Sequence, residues 1–117
     1  METATYDPND LRVGSYPVAS QTVTFASGQN IVRGAVLGRI TASGKYVLSA
    51  SAANDGSQVP IAIAAVAVDA TAADTPGPVL LTGEYDAAKL TFGAGHDAAS
   101  VEASLRSRGQ AIFLKTL

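Results

Sequence analysis

The sequence predicts a mainly β domain with one short helix near its C-terminus and a flexible N-terminal arm. Three observations predict it. Short runs rich in Val, Ile and Thr, the clearest being the alternating Thr22-Val23-Thr24-Phe25, are separated by clusters of Gly, Asn, Asp and Ser. Helical spacing is carried by the stretch that follows Asp97. The length of 117 residues suits one domain with one core.

Taken in order, residues 1–16 carry Pro8, Asn9 and Gly14 and show no period, so they read as an arm without structure of its own. Leu11, Val13, Tyr16 and Val18 nonetheless give it apolar anchors that a solubility tail does not need, and Tyr16 before Pro17 is biased to extended geometry. Thr22 to Phe25 forms the first strand, and Ser27-Gly28-Gln29-Asn30 turns it. A second strand starts at Ile31-Val32 and runs through Val36, Leu37 and Ile40, bent at Gly34 and Gly38. Ala42-Ser43-Gly44 then turns the chain into a strand over 45–49.

Residues 51–58, "SAANDGSQ", form a surface loop. Residues 59–68, "VPIAIAAVAV", are too short and too β-branched for a helix and predict a strand buried on both faces, its alanines marking close packing. Residues 69–78, "DATAADTPGP", read as a second loop. Residues 79–84 and 89–92 read as strands. Asp97 caps a helix with Ala98, Val101 and Leu105 on one face, Arg106 and Arg108 at its negative end and Gly109 as its stop. Residues 111–114 close the domain as a strand, and no internal repeat is visible.

Eight Lys and Arg stand against ten Asp and Glu, scattered without runs, so no basic stripe awaits nucleic acid. Only 15% of residues are charged, where about 25% is ordinary. With 47% hydrophobic residues, this neutral exterior predicts surface covered by other chains. The absence of cysteine excludes disulfides, thiolate metal sites and a cysteine nucleophile. The first twenty residues hold Glu2, Asp7 and Asp10 and no apolar core, unlike a signal peptide. The run 59–68 is half the ~20 residues that cross a bilayer as a helix. The expectation is a soluble protein, made in the cytoplasm, with no membrane partner.

Catalytic chemistry finds little foothold. His96 is the single histidine, and with Asp97 at a helix start it reads as a pre-cap loop residue, since neighbours there point apart. Glu84 and Asp86 share a strand face, but no third acid completes a cation site, and they read as solvated turn charges. Gly93-Ala94-Gly95 reads as a flexible hinge into the helix rather than an anion cradle. No cofactor and no metal are expected.

The ordered series Arg33-Gly34-Ala35-Val36-Leu37-Gly38-Arg39-Ile40, Gly44-Lys45-Tyr46, Asp55-Gly56-Ser57, Pro60-Ile61-Ala62-Ile63-Ala64, Asp69-Ala70-Thr71-Ala72-Ala73-Asp74 and Leu81-Thr82-Gly83-Glu84-Tyr85 resembles the lambda-type head decoration proteins of tailed bacteriophages. The similarity spans roughly residues 17–114. It implies a small β-clip-like or β-barrel fold without enzymatic activity, a homotrimer at three-fold and quasi-three-fold positions of the expanded capsid, and the major capsid protein as partner. It further implies a place on the virion exterior, where the trimer reinforces the shell against packaged DNA, and a host-cytoplasmic state before assembly. On this resemblance Leu11, Val13, Tyr16 and Val18 become capsid-binding residues of an arm that adds a strand to the shell. The competing readings are a fibre or tail subunit on a similar domain, or a β-clip-type binding module or enzyme. For the enzyme a glycine-rich closing tail with a catalytic Asp or Tyr is expected, and residues 110–117 have neither.

Overall fold

The computed structural model describes residues 17–115. The predicted arm, with Leu11, Val13 and Tyr16, lies outside the described residues. Among the described residues nine strands and one α-helix follow in order: β1 (Ser20–Phe25), β2 (Gln29–Ile31), β3 (Val36–Arg39), β4 (Tyr46–Leu48), β5 (Ala62–Ala64), β6 (Val68–Ala70), β7 (Thr75–Leu80), β8 (Gly83–Asp86), α1 (Ala98–Ser107) and β9 (Ile112–Lys115). Five of them close into a barrel in the order β1-β4-β3-β5-β7, while β2 with β6 and β8 with β9 form two-stranded ribbons. The fold is thus a mainly β barrel with one short helix near the C-terminus, as the sequence predicts.

Alternation along the barrel strands builds two cores. Leu37, Ala62, Ala64 and Val79 point inward, with Phe25, Ile31 and Tyr46. Val36 and Ile63 point the other way and pack with Tyr85, Leu90, Val101, Leu105 and Ile112 under the helix. A strand between two cores must be apolar on both faces, which is why Ala62–Ala64 is buried throughout. Its alanines lie on the inward face with Phe25 and Leu37, where a larger side chain has no room.

The helix is the element most completely specified by its own sequence. Asp97 accepts from the Ser100 N–H at 2.8 Å, and the Ser100 hydroxyl accepts from the Asp97 N–H at 2.9 Å, a reciprocal capping box. At the other end the Gln110 N–H donates to the Leu105 carbonyl across Gly109, which terminates the helix in the left-handed region. Val101 and Leu105 are buried, worth roughly 1.5–3 kcal/mol each. Arg106 does more than face the dipole. Its guanidinium donates to the Gln110 and Ile112 carbonyls, pairs with Glu102 at 2.8 Å and stacks 4.3 Å from the centre of the Phe113 ring, latching α1 to β9.

Five expectations are corrected, one being the strand expected over 79–84, which is the end of β7 and the start of β8 in different sheets. The single strand expected over 31–40 is two strands in different sheets, because the Ala35 N–H bonds the Val32 carbonyl and turns the chain between them. The run 59–68 is likewise interrupted: β5 ends at Ala64, a bend leaves Val66 45% exposed, and Val68 starts β6 in another sheet. Residues 69–78 are largely strand, since β7 occupies Thr75–Leu80 and β6 reaches Ala70. Prolines do not forbid this. The Pro78 carbonyl accepts from the Ala65 N–H, so Pro76 and Pro78 face away from β1 and their missing N–H groups remove no bond from the β1–β7 ladder. The strand expected over 89–92 shrinks to one bridge, Thr91 to Ala35, after a 3-10 turn at Ala87–Lys89.

Candidate docking surface

The residues singled out for chemistry are engaged in structure. His96 precedes the helix cap as expected; its Nε2 donates to the Gln58 carbonyl at 3.0 Å and its Nδ1 lies 3.1 Å from the Ser100 hydroxyl, so the ring ties the 51–58 loop to α1. Glu84 pairs with Lys115 across the β8–β9 ribbon. Asp86, expected in solvent beside it, is 8% exposed and accepts from the Ala88 N–H at 3.0 Å, capping the 3-10 turn. Gly93 is not a hinge. A Cβ there would stand 1.9 Å from the Ser49 carbonyl oxygen, and the Ser51 N–H donates to the Ala94 carbonyl, so this segment is clamped against the barrel. Among the described residues no three His, Cys, Asp or Glu side chains gather to hold a metal, and no helix is long and apolar enough to cross a membrane.

Three features of the surface bear on binding instead. The first is the start of the described chain. The Thr82 hydroxyl donates to the Pro17 carbonyl at 2.9 Å and accepts from the Ala19 N–H at 2.8 Å, while the Leu81 N–H donates to the Ala19 carbonyl. Residues 17–19 therefore continue the line of β1 along the end of β7, with Val18 half-buried among them. Of the four predicted capsid-binding residues, Val18 is the one this junction places.

The second feature is apolar. Val32 and Val66, each 45% exposed, lie just beyond the paired end of the β2–β6 ribbon, where Ile31 faces Val68. Neither is legible in the sequence, because exposure within an apolar run depends on where the chain bends.

The third is a seam. β1 pairs with β7 over six residues but meets β4 only through Phe25 and Tyr46. On the Ser20 side of that pair the wall opens into a cleft of about 310 Å³ between β1 and the β3–β4 turn, bordered by Thr22, Thr24, Arg39, Ser43 and Lys45. Lys45 pairs with Asp74 at 2.5 Å, and Asp74 also accepts from the Ser27 N–H at 2.8 Å.

These bonds hold the Asp74 carboxyl below its ordinary value of 3.8, the Lys45 hydrogen bond first. The Ser57 hydroxyl and N–H do the same for Asp55, and those of Thr71 for Asp69. A carboxyl depressed in the folded state contributes stability that is fully present above its unfolded value and is lost as pH falls through the folded one. Melting temperature is therefore expected to be level from about pH 7 to about pH 5 and to fall below about pH 4, with Asp74→Asn flattening part of that fall; scanning calorimetry across pH checks it.

The family model described as bacteriophage lambda head decoration protein D matches residues 8–112 of the chain. No curated protein matches it. The matched span starts nine residues before Pro17, so it takes in Leu11, Val13 and Tyr16 as well as Val18 and the barrel.

Proposed function

Since the chain belongs to the bacteriophage lambda head decoration protein D family, we propose that it decorates the expanded phage capsid as homotrimers at three-fold and quasi-three-fold positions, gripping the major capsid protein and reinforcing the shell against packaged DNA. The family role is structural, on the exterior of the phage capsid. The observation that carries the finer reading is the family match over nearly the whole chain; a sparsely charged sequence and an exposed apolar pair, Val32 and Val66, agree with surfaces that other chains cover. Before assembly the protein resides in the host cytoplasm.

The division of labour is an arm, residues 1–16, and a decoration domain, residues 17–117. Leu11, Val13, Tyr16 and Val18 anchor the arm to the shell as an added strand, main-chain bonds supplying affinity and alternate side chains register. Three arms on one trimer make weak contacts add through effective concentration. That addition requires the three receiving edges at one spacing, which gives selectivity for the expanded shell.

The experiment is decoration of shells that lack the protein. Expanded shells are expected to bind it and to melt at higher temperature when decorated, and unexpanded shells to bind poorly. Equal binding to both forms, or no gain in shell stability, overturns the cementing role.

A further inference from the structure

We infer that the outer edge of β1, from Ser20 to Thr24, receives an extended segment of the capsid shell's protein that carries a carboxylate opposite Arg39; the inference rests on the decoration role proposed above. The backbone directions come from the ladder. Thr22 lies opposite Pro78, whose carbonyl points away from β1 to the Ala65 N–H, so Thr22 also points away from its partner. Ser20 and Thr24 share its parity. The Thr22 and Thr24 N–H groups face the cleft, on the side where β4 pairs with β1 at Phe25 alone.

Two other strands have an outward N–H covered by a side chain. Glu102 accepts from the Leu114 N–H on β9, and the Gln29 side chain accepts from the Leu48 N–H on β4. β1 has no such cover. Its sequence, Ser-Gln-Thr-Val-Thr-Phe, contains no charge, proline or bulge, and Ser20, Gln21, Thr22 and Thr24 are exposed. Proteins ordinarily protect an edge of that kind from pairing with other chains. An unprotected edge five residues long, Ser20 to Thr24, is one that pairing uses.

The far wall decides the chemistry of the occupant. Lys45 is committed to Asp74, whereas Arg39 is exposed and makes no ion pair or hydrogen bond among the described residues. A row of backbone donors and acceptors beside one uncommitted guanidinium fits an extended chain with an acidic side chain. Because residues 17–19 prolong β1 along the same line, a shell strand seated in the cleft has room to continue beside them.

The test scores wild-type binding to expanded shells first, then hydrogen exchange and two variants. The Thr22 and Thr24 amides are expected to exchange freely in the isolated full-length protein and to slow at least about tenfold on the shell. Thr22→Pro removes a cleft-facing donor and no β7 bond, so its melting temperature should hold within a few degrees while shell affinity falls about tenfold or more. Arg39→Glu should lose affinity comparably and weaken as salt is lowered, the reverse of wild type. If exchange is unchanged on the shell and both variants bind as wild type does, the inference is overturned and decoration stands. If the amides are already protected in the isolated protein and deletion of residues 1–16 exposes them, the chain's own acidic segment, with Glu2, Asp7 and Asp10, occupies the edge and the inference is likewise overturned. If wild type binds no shell, the decoration reading itself fails and this inference falls with it.

Discussion

Gly38→Ala is expected to destabilise the domain by about 3 kcal/mol, lowering its melting temperature by roughly 10–15 °C. Gly38 sits in β3 with its backbone against the 51–58 loop, and a Cβ at that position would lie 1.9 Å from the Ser57 carbonyl oxygen and 2.8 Å from the Ser57 Cα. Both obstacles are backbone, so no rotamer change relieves them. Retreat of the loop is costly too. The Ser57 carbonyl accepts from the buried Ser49 hydroxyl at 2.7 Å, and Ser57 is itself bound to Asp55 through its N–H and hydroxyl. Moving the loop by an ångström leaves Ser49, 0% exposed, with an unpaired hydroxyl. Thermal unfolding followed by circular dichroism measures the effect, and a variant melting within two or three degrees of wild type would show that the loop yields freely.

Deleting residues 1–16 is expected to weaken shell decoration about a hundredfold or more while leaving domain melting nearly unchanged. Pro17 and Ala19 are fixed by Thr82 and Leu81, so the barrel's contacts to the start of the chain survive the truncation. Binding, by contrast, loses Leu11, Val13 and Tyr16 on every subunit at once, and avidity multiplies the loss. Shell occupancy and calorimetry on the same truncated protein separate the two effects. Unchanged occupancy would sink the arm mechanism, though the decoration role could survive on the barrel's own contacts.

How much of this was legible in the sequence depended on how local each cause is. The helix is legible in its cap, buried face and stop, because Asp97, Val101, Leu105 and Gly109 act on neighbours within a few residues, whereas the reciprocal bond from Ser100 is seen only in the structure. The first four residues of β7, 75–78, read as loop for the opposite reason: whether Pro76 and Pro78 break a strand depends on which side their absent donors face, and β1, far away in sequence, decides that. The apolar run 59–68 showed burial on both faces at Ala62–Ala64 but not the bend that exposes Val66 and hands the chain to another sheet. Of the surface, composition foretold only that it would be sparsely charged. The cleft joins residues 20–24 to residues 39–45 across a barrel seam, and nothing in either stretch announces the other. The family resemblance, carried by the ordered glycine-containing segments, supplied the role that residue types alone did not.

The seam has a mechanical meaning. A closed barrel under tangential tension is a hoop in which every joint carries the same load in series, and the joint with the fewest bonds sees the greatest force on each. Here that joint is the Phe25–Tyr46 pair, set against six pairs on the β7 side of the same strand. Two ties hold that joint: the pair's own backbone bond from the Ala26 N–H to the Tyr46 carbonyl at 3.0 Å, and the Lys45–Asp74 ion pair, which links the starts of β4 and β7. Under tension applied through β1, the hoop is expected to part at this clasp before any other joint slips. Acid that protonates Asp74 removes one of the two ties, so the tensile strength of the barrel falls over the same pH range as its resistance to heat.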